Sequence, residues 1–173
     1  MGCVIGLTQA LTMRDECRRV AHTVVFTNGV FDLLHVGHVR YLQAARHQGD
    51  SLFVGLNSDT SSQQLKGPGR PLVPEGERAE ILAALSCVDY VIIFHELTAC
   101  NIVASLKPDI YVKGGDYLPG PDAAASKLLP EASIVAQYGG KVILLPYTEG
   151  HSTTQLLAAA HQCRIRPPER TNP

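Results

Sequence analysis

Residues 27–42 read TNGVFDLLHVGHVRYL, and the fold turns on them. They begin at the end of an apolar run, 23–27 (TVVFT), whose β-branched and aromatic residues predict a buried strand. They finish in a segment with apolar residues at Val36, Val39, Leu42 and Ala45, the stripe of a helix over 36–47. Between strand and helix lies a turn carrying Gly29, Asp32 and His35, with Gly37 and His38 just inside the helix. Taken alone, the two histidines have three readings: members of a helix cap and its core, metal ligands, or hydrogen-bond donors to an anion. The metal reading lacks a Cys or carboxylate partner at ligand spacing. The anion reading has the turn in its favour. Unpaired N–H groups in a first helical turn attract phosphate, and the glycines let the backbone approach it closely.

The same alternation continues outward. Residues 51–56 (SLFVGL), 88–94 (VDYVIIF), 110–113 and 141–145 (KVILL) read as further strands. Helices are expected over 75–85, 99–106, about 122–137 with Pro130 as a possible interruption, and 152–162. The stretch 57–74, NSDTSSQQLKGPGRPLVP, reads as a polar loop. Apolar strands alternating with helices imply an α/β fold: a Rossmann-like, doubly wound parallel sheet of five strands covered on both faces. Residues 1–21 are expected as an N-terminal extension, 22–162 as the single domain and 163–173, proline-rich and polar, as a disordered tail.

Composition narrows the partners. A chain of 173 residues with 45% hydrophobic and 18% charged residues fits an ordinary soluble domain. A net charge of -1 argues against bulk electrostatic binding to nucleic acid or to an anionic membrane. No apolar run approaches the roughly 18 residues of a membrane span. Gly2 and Cys3 resemble a lipidation start, but Gly6 stands where a myristoylation motif wants Ser or Thr. Five scattered cysteines without a C-x-x-C pair suggest reduced thiols and a cytoplasmic protein.

Doubly wound sheets bind ligands beyond the carboxyl ends of their strands, where the strand order reverses. The polar clusters fall there: 29–38, 57–70, 113–117 and 148–154 each follow a strand. At the last of these, Ser152, Thr153 and Thr154 offer an N-cap and hydroxyl donors at a helix N-terminus, a second phosphate cradle.

Residues 29–38, GVFDLLHVGH, resemble the G-x-F-D-x-x-H-x-G-H signature of the cytidylyltransferase-like nucleotidyltransferases. Residues 148–154, TEGHSTT, resemble that superfamily's second signature, R-T-x-G-x-S-T-T. Tyr147 stands where the cytidylyltransferases have arginine, which argues against a CTP-specific enzyme. Asn57-Ser58-Asp59, Leu65-Lys66-Gly67 with Arg70-Pro71, and residues 112–117 (VKGGDY) resemble the adenylyltransferase domain of bacterial heptose-phosphate enzymes, in its stand-alone form. The resemblance covers about residues 22–160. It implies transfer of AMP from ATP to D-glycero-D-manno-heptose 1-phosphate, giving ADP-heptose and pyrophosphate. The alternative within the same signatures is a cytidylyltransferase acting on glycerol 3-phosphate or a related polyol phosphate. A non-catalytic nucleotide-binding module on the same fold is a third reading, disfavoured because no motif histidine or lysine is missing.

On that resemblance the catalytic residues are His35, His38, Lys66 and Lys113. The nucleotide is expected against Thr27, Asn28, Gly29, Phe31, Gly37, His38, Thr148, Gly150, Ser152, Thr153 and Thr154. The sugar phosphate and pyrophosphate are expected against Asp32, Asn57, Asp59, Arg70, Arg78, Gly114, Gly115 and Asp116. For Arg78 a surface pairing with Glu75 or Glu77 is the competing reading. Mg²⁺ is expected from the triphosphate chemistry, held mainly by ATP phosphates and not by a protein cage. The resemblance also favours a homodimer. His22, His47, His95 and His161 lie outside the motifs and are taken as structural or exposed.

Overall fold

The computed structural model describes residues 1–114, 129–146 and 153–165. Strands β1 (Cys3–Val4), β2 (Val24–Gly29), β3 (Ser51–Asn57), β4 (Tyr90–Phe94), β5 (Ile110–Gly114) and β6 (Lys141–Leu145) form one sheet. Their order is β1-β4-β3-β2-β5-β6, and every pairing is parallel. The helices are α1 (Leu7–Arg19), α2 (Val36–Arg46), α3 (Asp59–Lys66), α4 (Glu75–Ala84), α5 (Cys100–Leu106), α6 (Pro130–Gln137) and α7 (Thr153–Ile165). From β2 the chain winds outward through β3 and β4, then returns to place β5 on the other side of β2. The strand order therefore reverses between β2 and β5.

Alternation along each strand divides the core in two. Val24, Phe26, Phe53, Ile92 and Tyr111 pack with Ala10 and Cys17 of α1, Ile102, Val103 and Leu106 of α5, and Val135 of α6. Val25, Leu52, Val54, Leu56, Val91 and Val112 face the opposite way, on to Leu42 and Ala45 of α2 and Ala79 and Leu82 of α4. Each large apolar side chain buried this way contributes about 1.5–3 kcal/mol, so the two layers dominate the stability of the sheet. Burial on both faces is why the strands read as unbroken apolar runs.

The sheet has six strands, not five. Cys3–Val4 pairs with Tyr90–Val91 at the edge of the sheet, and α1 then crosses to β2. The stripe that α1 buries is Ala10, Arg14 and Cys17, so it carries almost no apolar signal. Arg14 is held instead by polar contacts: it donates to the Lys107 carbonyl at 3.0 Å and to Asp109 at 2.9 Å. The other Asp109 oxygen accepts the Val24 N–H at 2.7 Å, which ties α1 to the start of β2.

Residues 59–66 are helix α3 where a loop was expected. Ser58 caps it by accepting the Ser61 N–H, and Ser61 and Ser62 are buried with their hydroxyls bonded to the Ser58 and Asn57 carbonyls. The only strongly apolar residue, Leu65, is exposed, so no hydrophobic period marks the helix. Pro130 opens α6 and does not interrupt it, as suits a residue with no N–H to leave unpaired. The expected helical stretch before it, 122–128, lies outside the described residues. Residues 163–165 continue α7 and are not part of a tail. Among the described residues no helix is long and apolar enough to cross a membrane.

Candidate active site

The reversal point places the carboxyl ends of β2 and β5 side by side. Asn28 at the end of β2 is held from β5 twice: its Oδ1 accepts from the Tyr111 hydroxyl at 2.7 Å, and its carbonyl accepts from Lys113 Nζ at 3.4 Å. Thr27, fully buried, has its hydroxyl 2.7 Å from that of Tyr41 on α2, and Tyr41 donates in turn to the Val112 carbonyl at 3.2 Å. Thr27 and the Asn28 side chain thus brace the mouth of the crevice instead of facing a ligand. Lys113, mostly buried, brings a cation to that mouth.

The turn after β2 leads into α2. His35 is its N-cap, in extended conformation, and the His35 N–H donates to Nδ1 of His38 at 3.4 Å, the return arm of a capping box. The two rings stack with centroids 3.9 Å apart. Behind them Phe31 meets His38 edge-on at 5.5 Å. Phe31 is 6% exposed and has a φ of +45°, a conformation costly for a bulky residue and held here because the ring is locked in the core. Gly29 makes room for it: a Cβ there would sit 3.1 Å from the ring. Phe31, expected against the nucleotide, therefore backs the histidine.

Burial, and then the neighbouring His35, push the His38 imidazole down to a pKa of about 4. It is neutral at physiological pH. With Nδ1 accepting from the backbone, the ring proton belongs on Nε2, which makes His38 a neutral hydrogen-bond donor. Gly37 follows the cap within the first turn, where the N–H of His38 is already paired with the His35 carbonyl at 2.9 Å.

Asp32 and Arg78 hold the surroundings in place. Asp32 accepts from Arg70 at 2.7 Å and from the N–H groups of Leu72 at 2.7 Å and Val73 at 3.2 Å. Burial alone would raise the Asp32 carboxyl, but these hydrogen bonds outweigh it and hold the group below the ordinary carboxylate range. Arg78 has no exposed side-chain surface. It donates to the carbonyls of Val73 at 2.8 Å, Val30, and Asn57 at 3.0 Å, and to the Asp59 carboxylate at 2.7 Å. The Asn57 side chain is buried too, against Ser61 and the Glu96 carbonyl. Arg78 and Asn57, expected at the substrate, are instead internal ties: each nitrogen of the guanidinium donates within the protein, and the Asn57 amide is buried. Nor does Arg78 pair at the surface with Glu75, which accepts the Asp59 N–H at 2.6 Å. Lys66, exposed at the end of α3, makes no ion pair with any described residue.

The model of the cytidylyltransferase-like family matches residues 26–159. The chain belongs to that family. It is 56% identical over 140 residues to the bifunctional protein HldE of Syntrophotalea carbinolica, covering 81% of this chain and 27% of that one. It is 47% identical over 154 residues to the bifunctional protein HldE of Pseudomonas entomophila, covering 89% and 31%. The chain thus spans between a quarter and a third of the length of these relatives. Among solved structures, a lipopolysaccharide core biosynthesis protein from Thermoplasma volcanium superposes with a TM-score of 0.58 at 27% identity, covering 75% of this chain and 99% of that one.

Of the residues expected at the site, the structure places the His35–His38 pair at the start of α2, and Lys113 and Gly114 at the end of the neighbouring β5. Thr153 opens α7, and Thr154 follows it in the first turn. Gly115, Asp116, Thr148, Gly150 and Ser152 lie outside the described residues. Tyr41, Tyr111 and Glu75 belong to the support of the site and carry no signature in the sequence: two look like core aromatics and one like a surface helix residue. Among the described residues no group of three or more His, Cys, Asp or Glu side chains is placed to hold a metal ion. Asp32 and Asp59 each face an arginine, so neither donor set suits a protein-bound cation.

Proposed function

We propose that the protein is a nucleotidyltransferase that moves AMP from ATP to D-glycero-D-manno-heptose 1-phosphate. The observation that carries this is the strand–loop–helix turn at the sheet's reversal point, with neutral His38 stacked on His35 and Lys113 on the facing lip. A phosphate oxygen of the sugar 1-phosphate attacks the α-phosphorus of ATP in line. The bond from that phosphorus to the oxygen bridging it to the β-phosphorus breaks, and pyrophosphate carries away the electron pair. Such a reaction asks the protein for positioning and charge stabilisation more than for covalent chemistry. His35 and His38 donate to phosphoryl oxygens, Lys113 approaches from β5, and Lys66 supplies a point charge beside the glycine-flanked loop that follows α3. Mg²⁺ would be held mainly by the oxygens of the triphosphate and would supply charge neutralisation there.

The choice of acceptor is supported by the similarity to the HldE proteins and to a lipopolysaccharide core biosynthesis protein. We take the protein to be cytoplasmic, with free thiols at Cys3, Cys17, Cys87 and Cys100, and to act as a homodimer. Pyrophosphate release tests the reading, with ATP or CTP supplied against heptose 1-phosphate or glycerol 3-phosphate in one matched assay. Turnover is expected with ATP and the heptose. Turnover confined to CTP and glycerol 3-phosphate overturns it.

A further inference from the structure

We propose that the open cavity between α3 and the 67–74 loop, about 290 Å³ in volume, seats the hydroxyl-bearing body of the acceptor; this rests on the transfer reading above. Asp59, Thr60 and Gln63 line it from α3, and Arg70, Leu72 and Pro74 from the loop. Residues 59, 60 and 63 share one side of a helix, so a carboxylate, a hydroxyl and an amide converge there. Together they both donate and accept, which neighbouring sugar hydroxyls require. Leu72 and Pro74 add an apolar strip for the C–H face of a ring. The volume lies just below the range of about 300–1,000 Å³ for ligand sites and suits one sugar ring better than a nucleotide. Arg70 in the lining is already paired with Asp32 at 2.7 Å, so the cavity favours neutral hydroxyls over a phosphate.

Two arginine links join this cavity to the transfer centre. Arg70 reaches Asp32, three residues before His35. Asp59 accepts from Arg78, which also donates to the Val30 carbonyl in the same turn. A sugar lodged against Asp59 and Arg70 therefore touches both ties of the loop that carries the histidines. Thr60 and Gln63, which make no part of those ties, become the residues that read the acceptor's hydroxyls.

A titration of the ¹⁵N-labelled full chain locates the site. D-glycero-D-manno-heptose 1-phosphate is expected to move the amide resonances of Thr60 and Gln63, and inorganic phosphate to leave them in place. The paired substitution Thr60→Val with Gln63→Leu, both at exposed positions, should raise KM for the sugar phosphate about tenfold, as expected for lost hydrogen bonds, while KM for ATP stays within about twofold. Unmoved Thr60 and Gln63 resonances at millimolar sugar phosphate overturn the assignment, as does an unchanged KM in the paired variant. A wild-type protein that releases no pyrophosphate from ATP with any sugar 1-phosphate sinks the transfer reading instead, and the titration then still decides the cavity.

Discussion

The guanidinium of Arg70 donates to the carboxylate of Asp32 at 2.7 Å, joining two loops 38 residues apart in the chain. The same carboxylate takes the N–H groups of Leu72 and Val73, so one side chain of the phosphate turn holds the whole 70–73 segment. Because the Asp32 pKa is lowered in the fold, the tie is intact above its unfolded value, near 3.8, and is lost as pH falls through the lower folded value. Hydrogen exchange at Leu72 and Val73 reports it. Asp32→Asn should speed exchange of both amides at neutral pH and remove their acid dependence. Unchanged protection in the variant contradicts the tie.

Arg78 should be among the least replaceable residues of the chain. Arg78→Leu strands the carbonyls of Val30, Val73 and Asn57 and leaves Asp59 without its partner. Asp59, half-exposed, regains water, but each buried carbonyl left without its donor costs about 1–3 kcal/mol. Urea unfolding measures it, and a loss under about 1 kcal/mol would mean that the guanidinium is not the internal hub described above.

His38 gives the protein a second element lost on acidification, in a higher pH window than Asp32. Its folded pKa of about 4 lies below the unbound value of 6.5, so between those limits the unfolded chain binds a proton that the folded one refuses. Stability from this group therefore falls as pH drops from about 6.5 to about 4. His38→Gln, which cannot charge, should unfold with a shallower pH dependence across that window. A slope equal to the wild type's contradicts the buried neutral imidazole.

The brace across the sheet's reversal point makes a smaller prediction. Tyr111→Phe removes the donor to Asn28 Oδ1 and keeps the packed ring. The loss should be about 0.5–1.5 kcal/mol in stability, with a modest fall in kcat because Asn28 also accepts from Lys113. A stability equal to the wild type's, with kcat unaltered, removes Tyr111 from the support of the site.

Most of the architecture is legible in the residues. β2 through β6 are apolar runs because both faces of the sheet are covered, and the turn between β2 and α2 announces itself by glycine and histidine. What escapes is structure held by polar contacts. β1 is two exposed residues, α1 buries only Ala10, Arg14 and Cys17, and the buried residues of α3 are Ser61 and Ser62, so none of the three carries an apolar run. The site divides in the same way. The sequence singles out Asp32, Asn57, Phe31 and Arg78 as special positions, but not whether each faces a ligand or the protein. That depends on partners far along the chain: Arg70 for Asp32, Glu96 for Asn57, His38 for Phe31, and Val30 with Asp59 for Arg78.

The central claim is that the histidine pair at the start of α2 stabilises the transferring phosphoryl group. Steady-state pyrophosphate release from ATP and heptose 1-phosphate by His38→Ala tests it most directly, beside circular dichroism to confirm the fold. The account predicts that kcat falls by about 10²–10³, the effect of removing one preorganised donor, in a protein that remains folded. A folded variant that turns over at a near-normal rate contradicts it.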